Sequence, residues 1–304
     1  MPVFNTFFAF SLVHSIALSK MPLDQLTEEE IDSEGNEMSF LDHLEELRWH
    51  IIRAVGSIFL FALIAFVYIE EIWDTVVMGP KSPNFWTYRM MCKLSDATGY
   101  ADLCVKKLNF ELQALGVSDQ FTMALTSSAI IGLCFAFPYA FWELWRFIKP
   151  GLRSVEKQAA RGAVFYVSLL FLLGLFFGYF IVSPLAINFL ANYQITPEIK
   201  NQFDITSYIG ILVTLSLGCA LIFQMPMVAY VLSKVGVLTP KFMRDYRKHA
   251  WIVILVVAGI ITPSPDIYSQ VLVALPLAML YEVSIVVSGR IEKQRLKEHR
   301  ELMN

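Results

Sequence analysis

Apolar residues fall along this chain in long unbroken runs rather than in alternation with polar ones. The runs lie at about Ile51–Ile69, Asp119–Phe141, Gly162–Leu190, Ser207–Leu232, Ala250–Ile261 and Tyr268–Val287. Crossing a hydrocarbon core of ~30 Å takes about 20 apolar residues as a helix. Backbone groups left unpaired in lipid cost several kcal/mol each, so spanning segments are helices or closed barrels. Continuous runs select helices, because barrel strands alternate. The pattern predicts an all-α membrane protein with six transmembrane helices. The fifth run is short and, at 1.5 Å per residue, covers only roughly 18 Å. A tight turn from Thr262 to Asp266 joins it to the sixth, which carries Pro276. This pair either thins the bilayer locally or sits inside a concave bundle.

The segments between the runs divide the chain further. Residues 1–38 read as a disordered or non-essential tail, since the first twenty lack a basic start and residues 23–37 are acidic and poor in aromatics. The membrane domain is expected over residues 39–290. It opens with Ser39–Arg48, where Ser39 and Asp42 fit a helix N-cap and Phe40, Leu44 and Leu47 recur at helical spacing. This predicts a short amphipathic helix at the interface that feeds the first span. The polar loop at about residues 70–118 is enlarged, too long to lack structure of its own, and carries Phe85, Trp86 and Tyr88. Residues 291–304 form a basic tail.

Charge sets the expected orientation. Basic residues gather after the second span (Lys149, Arg153, Lys157, Arg161), after the fourth (Lys241, Arg244, Arg247, Lys248) and in the tail (Arg290, Lys293, Arg295, Lys297, Arg300). The loop after the third span carries Lys200, and the turn after the fifth has no basic residue. Short loops rich in Lys and Arg stay in the cytoplasm, so both termini are expected there. Composition agrees with the spans: 56% of the 304 residues are hydrophobic and 17% charged, which excludes an ordinary soluble domain.

The chemistry-bearing residues point away from an enzyme. There is no H-E-x-x-H, no G-x-S-x-G and no glycine-rich phosphate loop, and the histidines are scattered. No metal pattern is formed by the cysteines. Cys134 and Cys219 sit in apolar runs, while Cys92 and Cys104 share the enlarged loop. If that loop faces an oxidising compartment, the latter two can bridge, which in the chain-entropy model is worth roughly 3 kcal/mol. Gln224 is the deepest polar group, and it serves either an interhelical hydrogen bond or a partner helix. Glu46 and Glu156 flank the apolar segments; they are solvated surface charges or a pair that takes cationic groups bidentately.

Several ordered motifs carry a family resemblance. F-x-x-H-L-x-E-L-R occurs as Phe40, His43, Leu44, Glu46, Leu47 and Arg48. P-x(6)-W-x-F-I-x-P-x-L-x(3)-E occurs as Pro138, Trp145, Phe147, Ile148, Pro150, Leu152 and Glu156. Pro184-Leu185 with Phe189-Leu190, Pro226 after Gln224, and T-P-S-P-D-x-x-S-Q from Thr262 to Gln270 follow in order. Together they resemble the TatC family, the multispanning subunit of the twin-arginine protein translocase, over about Ser39 to Arg290. The resemblance implies a glove-shaped six-helix bundle in the bacterial cytoplasmic (inner) membrane, without cofactor, metal or nucleic acid. It implies that Glu46 and Glu156 take the two arginines of a signal peptide, in a site shaped by Arg48, Trp145, Phe147, Pro150 and Leu152. Single-span subunits of the TatA/TatB type would dock along spans five and six, with Thr262 and Gln270 as polar contacts and Gln224 as a further one, in an oligomeric complex driven by the proton-motive force. Gln224 stands where many members have a glutamate, and residues 79–113 have no counterpart in the family pattern. The competing functional reading is a secondary transporter for a small solute. It calls for an inverted repeat and a midplane ionisable site, and neither is evident.

Overall fold

The computed structural model describes residues 40–99, 104, 108, 110–148, 162–196, 198, 201–261 and 267–303. The expected tail at residues 1–38 lies outside them. Residues up to Trp49 cluster separately from His50–Asn304. Helix α1 runs Phe40–Val67. The amphipathic stretch and the first span, expected as two pieces, are therefore one helix. Nothing between Arg48 and Ile51 breaks it, since Trp49 and His50 are neither glycine nor proline. A short helix α2 (Ile69–Ile72), a π-helical turn (Trp73–Val77) and a 3₁₀ turn (Gly79–Lys81) follow. Helix α3 is Trp86–Thr98 and strand β1 is Glu111–Gln113.

The second span, α4, runs Asp119–Ile148 and takes Pro138 into its interior. It extends two turns beyond the expected end at Phe141, so the aromatic stretch Trp142–Phe147 is helix rather than connection. The third span is α5 (Ala163–Phe177), a π-helical turn (Gly178–Val182) and α6 (Ser183–Asn192). Strand β2 is Gln202–Asp204. The fourth span is α7 (Ile205–Ile222) followed by α8 (Met225–Val235), broken at Phe223–Gln224 where Pro226 starts the second piece. Helix α9 is Pro240–Asp245, α10 Arg247–Ile261 and α11 Ile267–Met303. Among the described residues, five helices are long and apolar enough to cross a membrane. The chain is thus a multi-pass membrane protein. Helix α10 has only 15 residues.

Two close approaches hold the spans together. A Cβ on Gly132 of α4 would lie 2.5 Å from the Ala62 backbone nitrogen of α1. A Cβ on Gly174 or Gly178 would lie 2.7 Å from the Ala220 or Ser216 Cα of α7. With no hydrophobic drive between helices in lipid, such small-residue contacts let dispersion act. Phe137 of α4 stacks on Phe171 of α5 with centroids 3.6 Å apart. One core cluster joins Leu215, Cys219 and Phe223 of the fourth span to Ile254 and Ala258 of α10 and Val273, Leu277 and Ala278 of α11. A second gathers Val77, Phe110, Met123 and Ile187 around Tyr208, Ile209 and Leu212.

The described residues of the loop after the first span form a cap. Tyr88, 1% exposed, donates its hydroxyl to the Pro184 carbonyl at 2.8 Å, with the Pro80 carbonyl 3.1 Å from the same oxygen. Burial holds that phenol above its ordinary range, so it stays a donor. Thr87 Oγ1 donates to the Phe180 carbonyl. A disulfide joins Cys92 and Cys104. Strand β1 pairs in parallel with β2, Glu111 opposite Gln202 and Gln113 opposite Asp204. The loops after the first and third spans are thereby zipped together. Cys92→Ser is expected to leave the spans assembled but open the cap. Limited proteolysis should then cut within residues 92–110 of the variant and spare the oxidised parent.

Candidate functional site

The strongest polar constellation is built around a residue that sequence motifs do not single out. Glu143 lies in the last two turns of α4 and is 1% exposed. Its Oε2 is 2.5 Å from His50 Nδ1 and 3.2 Å from Arg53 Nε, which donates to it. Its Oε1 accepts from the Tyr139 hydroxyl at 3.1 Å, and Arg146 Nη1 is 3.9 Å away. With the carboxylate ionised, Nδ1 carries its proton and donates it to Oε2. Arg53 Nη2, 3.0 Å from the same Nδ1, then finds no lone pair there, and its guanidinium is held by the carboxylate instead.

Local sequence explains both halves of the cluster. Tyr139, Glu143 and Arg146 stand at i−4, i and i+3, on one side of α4. His50 and Arg53 stand three apart on α1, so both point to the same partner helix. A buried carboxylate is tolerated only when paired and hydrogen-bonded, and here four donor groups surround it. The signal available in sequence is this pair of matching spacings, acid with tyrosine and arginine on one span, histidine with arginine on another. Arg146 also lies over the Trp142 ring, 4.9 Å from its centroid.

The cluster adjoins the aromatic end of α4. Phe147 is half-buried with its ring 6.3 Å from that of His50. Trp145 is half-buried and stacks on Phe141 at 6.2 Å. Glu46 is half-buried and Arg48 exposed on α1. Pro150, Leu152 and Glu156, which follow α4, lie outside the described residues, as does Thr262. Of the residues expected to meet a partner helix, Gln224 donates Nε2 to the Val167 carbonyl at 3.2 Å, tying the fourth span to the third. Gln270 donates to the Leu255 carbonyl at 3.0 Å, tying α11 to α10. Both amides thus serve contacts within the chain. Glu282 pairs with Arg247. Among the described residues no group of three His, Cys, Asp or Glu is placed to hold a metal ion.

A family model described as Sec-independent protein translocase protein (TatC) matches residues 42–276. The chain is 35% identical over 265 residues to Sec-independent protein translocase protein TatC of Blattabacterium sp. subsp. Periplaneta americana, covering 86% of this chain and 99% of that relative. It is 31% identical over 262 residues to TatC of Aquifex aeolicus, covering 86% and 98%. Two crystal structures of a twin-arginine translocase receptor, TatC, one of them in DDM, superpose with TM-scores of 0.57 and 0.59. Their identities are 30% and 32%, with 82% and 81% of this chain and 99% of each of those chains covered.

Proposed function

The chain belongs to the TatC family of Sec-independent protein translocase proteins, and from that premise we propose that it is the receptor subunit that takes twin-arginine signal peptides of folded precursors at the cytoplasmic face. The observation that carries the reading is the aromatic end of α4. The buried Glu143 cluster adjoins Phe147 directly ahead of the Pro150–Glu156 segment in sequence. Glu46 and Glu156 then each take one guanidinium, through paired charge-assisted hydrogen bonds that a lysine cannot reproduce. Glu143 is not a third receptor. Its two oxygens already accept from His50, Arg53 and Tyr139.

The finer architecture belongs to the same proposal. Helix α10 is the fifth of six spans, both termini are cytoplasmic, and the host is the bacterial cytoplasmic membrane. The clustering of Lys and Arg after the second and fourth spans and in the tail supports this orientation. Zipping of β1 onto β2 supports it too, because it puts the loops after spans one and three on the same side. Single-span partners of the TatA/TatB type supply the rest of the complex, and the proton-motive force drives transport.

The test is crosslinking of a twin-arginine peptide to positions 145–156 in membranes, with export of a folded reporter as the second readout. Glu46→Ala or Glu156→Ala should each lower crosslinking about tenfold or more, the worth of a lost hydrogen bond between charged groups. Glu156→Lys should do worse than Glu156→Gln, because it repels arginine. Wild-type crosslinking and export in both alanine variants would remove the site assignment. Proton-coupled solute uptake by the purified protein alone would favour a transporter.

A further inference from the structure

Helix α3 of the enlarged loop presents two faces. Thr87, Tyr88 and Ser95 are buried. Trp86, Met90 and Leu94, one turn apart from each other, are 52%, 49% and 54% exposed. At 100° per residue these three line one edge of the outward face, and the exposed Arg89 and Lys93 line the other. Asp96, near the helix end, is the acidic residue of α3. A stripe of Trp, Met and Leu open to water would be unusual; beside a basic edge it has the form of an interfacial helix.

Its depth in the protein agrees. The Trp86 ring packs edge-on against Phe180 with centroids 6.2 Å apart, and Thr87 and Tyr88 bond the Phe180 and Pro184 carbonyls. Counted from Ala163 at 1.5 Å per residue, Phe180 lies about 26 Å along the third span. The hydrocarbon core is ~30 Å thick, so Trp86 sits at its far boundary, where tryptophan is enriched. The exposed stripe also adjoins exposed aromatic surface on that span. Phe176, one turn before Phe180, is 52% exposed and its ring is 6.1 Å from that of Phe180.

We propose that α3 is a membrane-surface helix, with Trp86, Met90 and Leu94 dipping into the acyl layer and Arg89 and Lys93 holding phosphate headgroups, anionic ones in preference. The occupant of this face is the phospholipid leaflet and not a second protein. The docking of α3 on the third span sets its height, and the Cys92–Cys104 link closes the segment behind it. Signal-peptide binding plays no part in this contact.

The experiment uses the full chain in vesicles of phosphatidylcholine, and subtracts the fluorescence of a Trp86→Phe variant to isolate Trp86. Lipids brominated high on the acyl chain should quench that emission about twofold more strongly than lipids brominated at the chain end, as expected for an interfacial ring. Aqueous acrylamide should quench it only weakly. Adding phosphatidylglycerol should shift the emission to the blue in the parent and not in an Arg89→Gln/Lys93→Gln variant. Strong acrylamide quenching without bromine quenching would place the stripe in water and overturn the proposal. So would a photocrosslinker at position 94 that labels a second copy of the chain instead of lipid, or a blue shift that survives loss of both basic residues.

Discussion

Glu143→Ala is expected to cost about 3–5 kcal/mol of stability, the penalty for deleting one partner of a buried ion pair. His50 is 5% exposed and its Nδ1–H would lose its acceptor. Arg53 and the Tyr139 hydroxyl would lose theirs as well. Purified in detergent, the variant should melt well below the parent and accumulate poorly in membranes. Glu143→Gln should be milder, since an amide oxygen can still accept from His50 or Tyr139. Adding Arg53→Gln to it should cost less than the sum of the two single changes, because the arginine no longer has a carboxylate to lose. Strict additivity, or an unchanged melting point for Glu143→Ala, would show that the cluster does not clamp α1 to α4. In the folded Glu143→Gln protein, peptide capture should weaken while preference for twin arginine over twin lysine persists. Loss of that preference would make Glu143 a peptide ligand.

Replacing Gly174 and Gly178 together by leucine should be the most disruptive change within the apolar spans. Each Cβ would meet α7 backbone at 2.7–2.8 Å, too close for any rotamer to relieve. Overpacking costs typically about 1–3 kcal/mol per site, and here the obstacle is backbone rather than a movable side chain. The fourth span supplies its own control. A Cβ on Gly210 or Gly218 would meet nothing within 4 Å, so alanine at either should not lower the melting temperature and, as a better helix former, should hold or raise it slightly. A Gly174→Leu/Gly178→Leu protein with the parent's melting temperature would mean that α5 and α7 do not approach this closely.

What can be read from the chain depends on how local each signal is. The spans announce themselves because hydropathy needs only a window of neighbours. Gly174 and Gly178 form a G-x-x-x-G, a spacing that allows close approach but does not say which helix they meet. Patterning divides helix α1 too early, since amphipathic and apolar stretches join without a breaker. It ends α4 too early as well, because Trp142, Glu143 and Arg146 look like an exposed span end. Glu143 escapes notice for the same reason. Its burial depends on His50 and Arg53, 93 and 90 positions away in sequence, and no window over α4 contains them. Loop length alone foretells an ordered cap, but its two three-residue strands carry no periodicity that could reveal them.

The parallel pairing of Glu111–Gln113 with Gln202–Asp204 also sets an order of events during synthesis. Strand β2 is made only after the second and third spans. At about 5–20 residues per second, β1 waits on the order of ten seconds for its partner. During that interval its backbone edge is open to wrong pairing, while the Cys92–Cys104 link lies wholly upstream and can close first. Completion of the cap is therefore a record that the third span has already crossed.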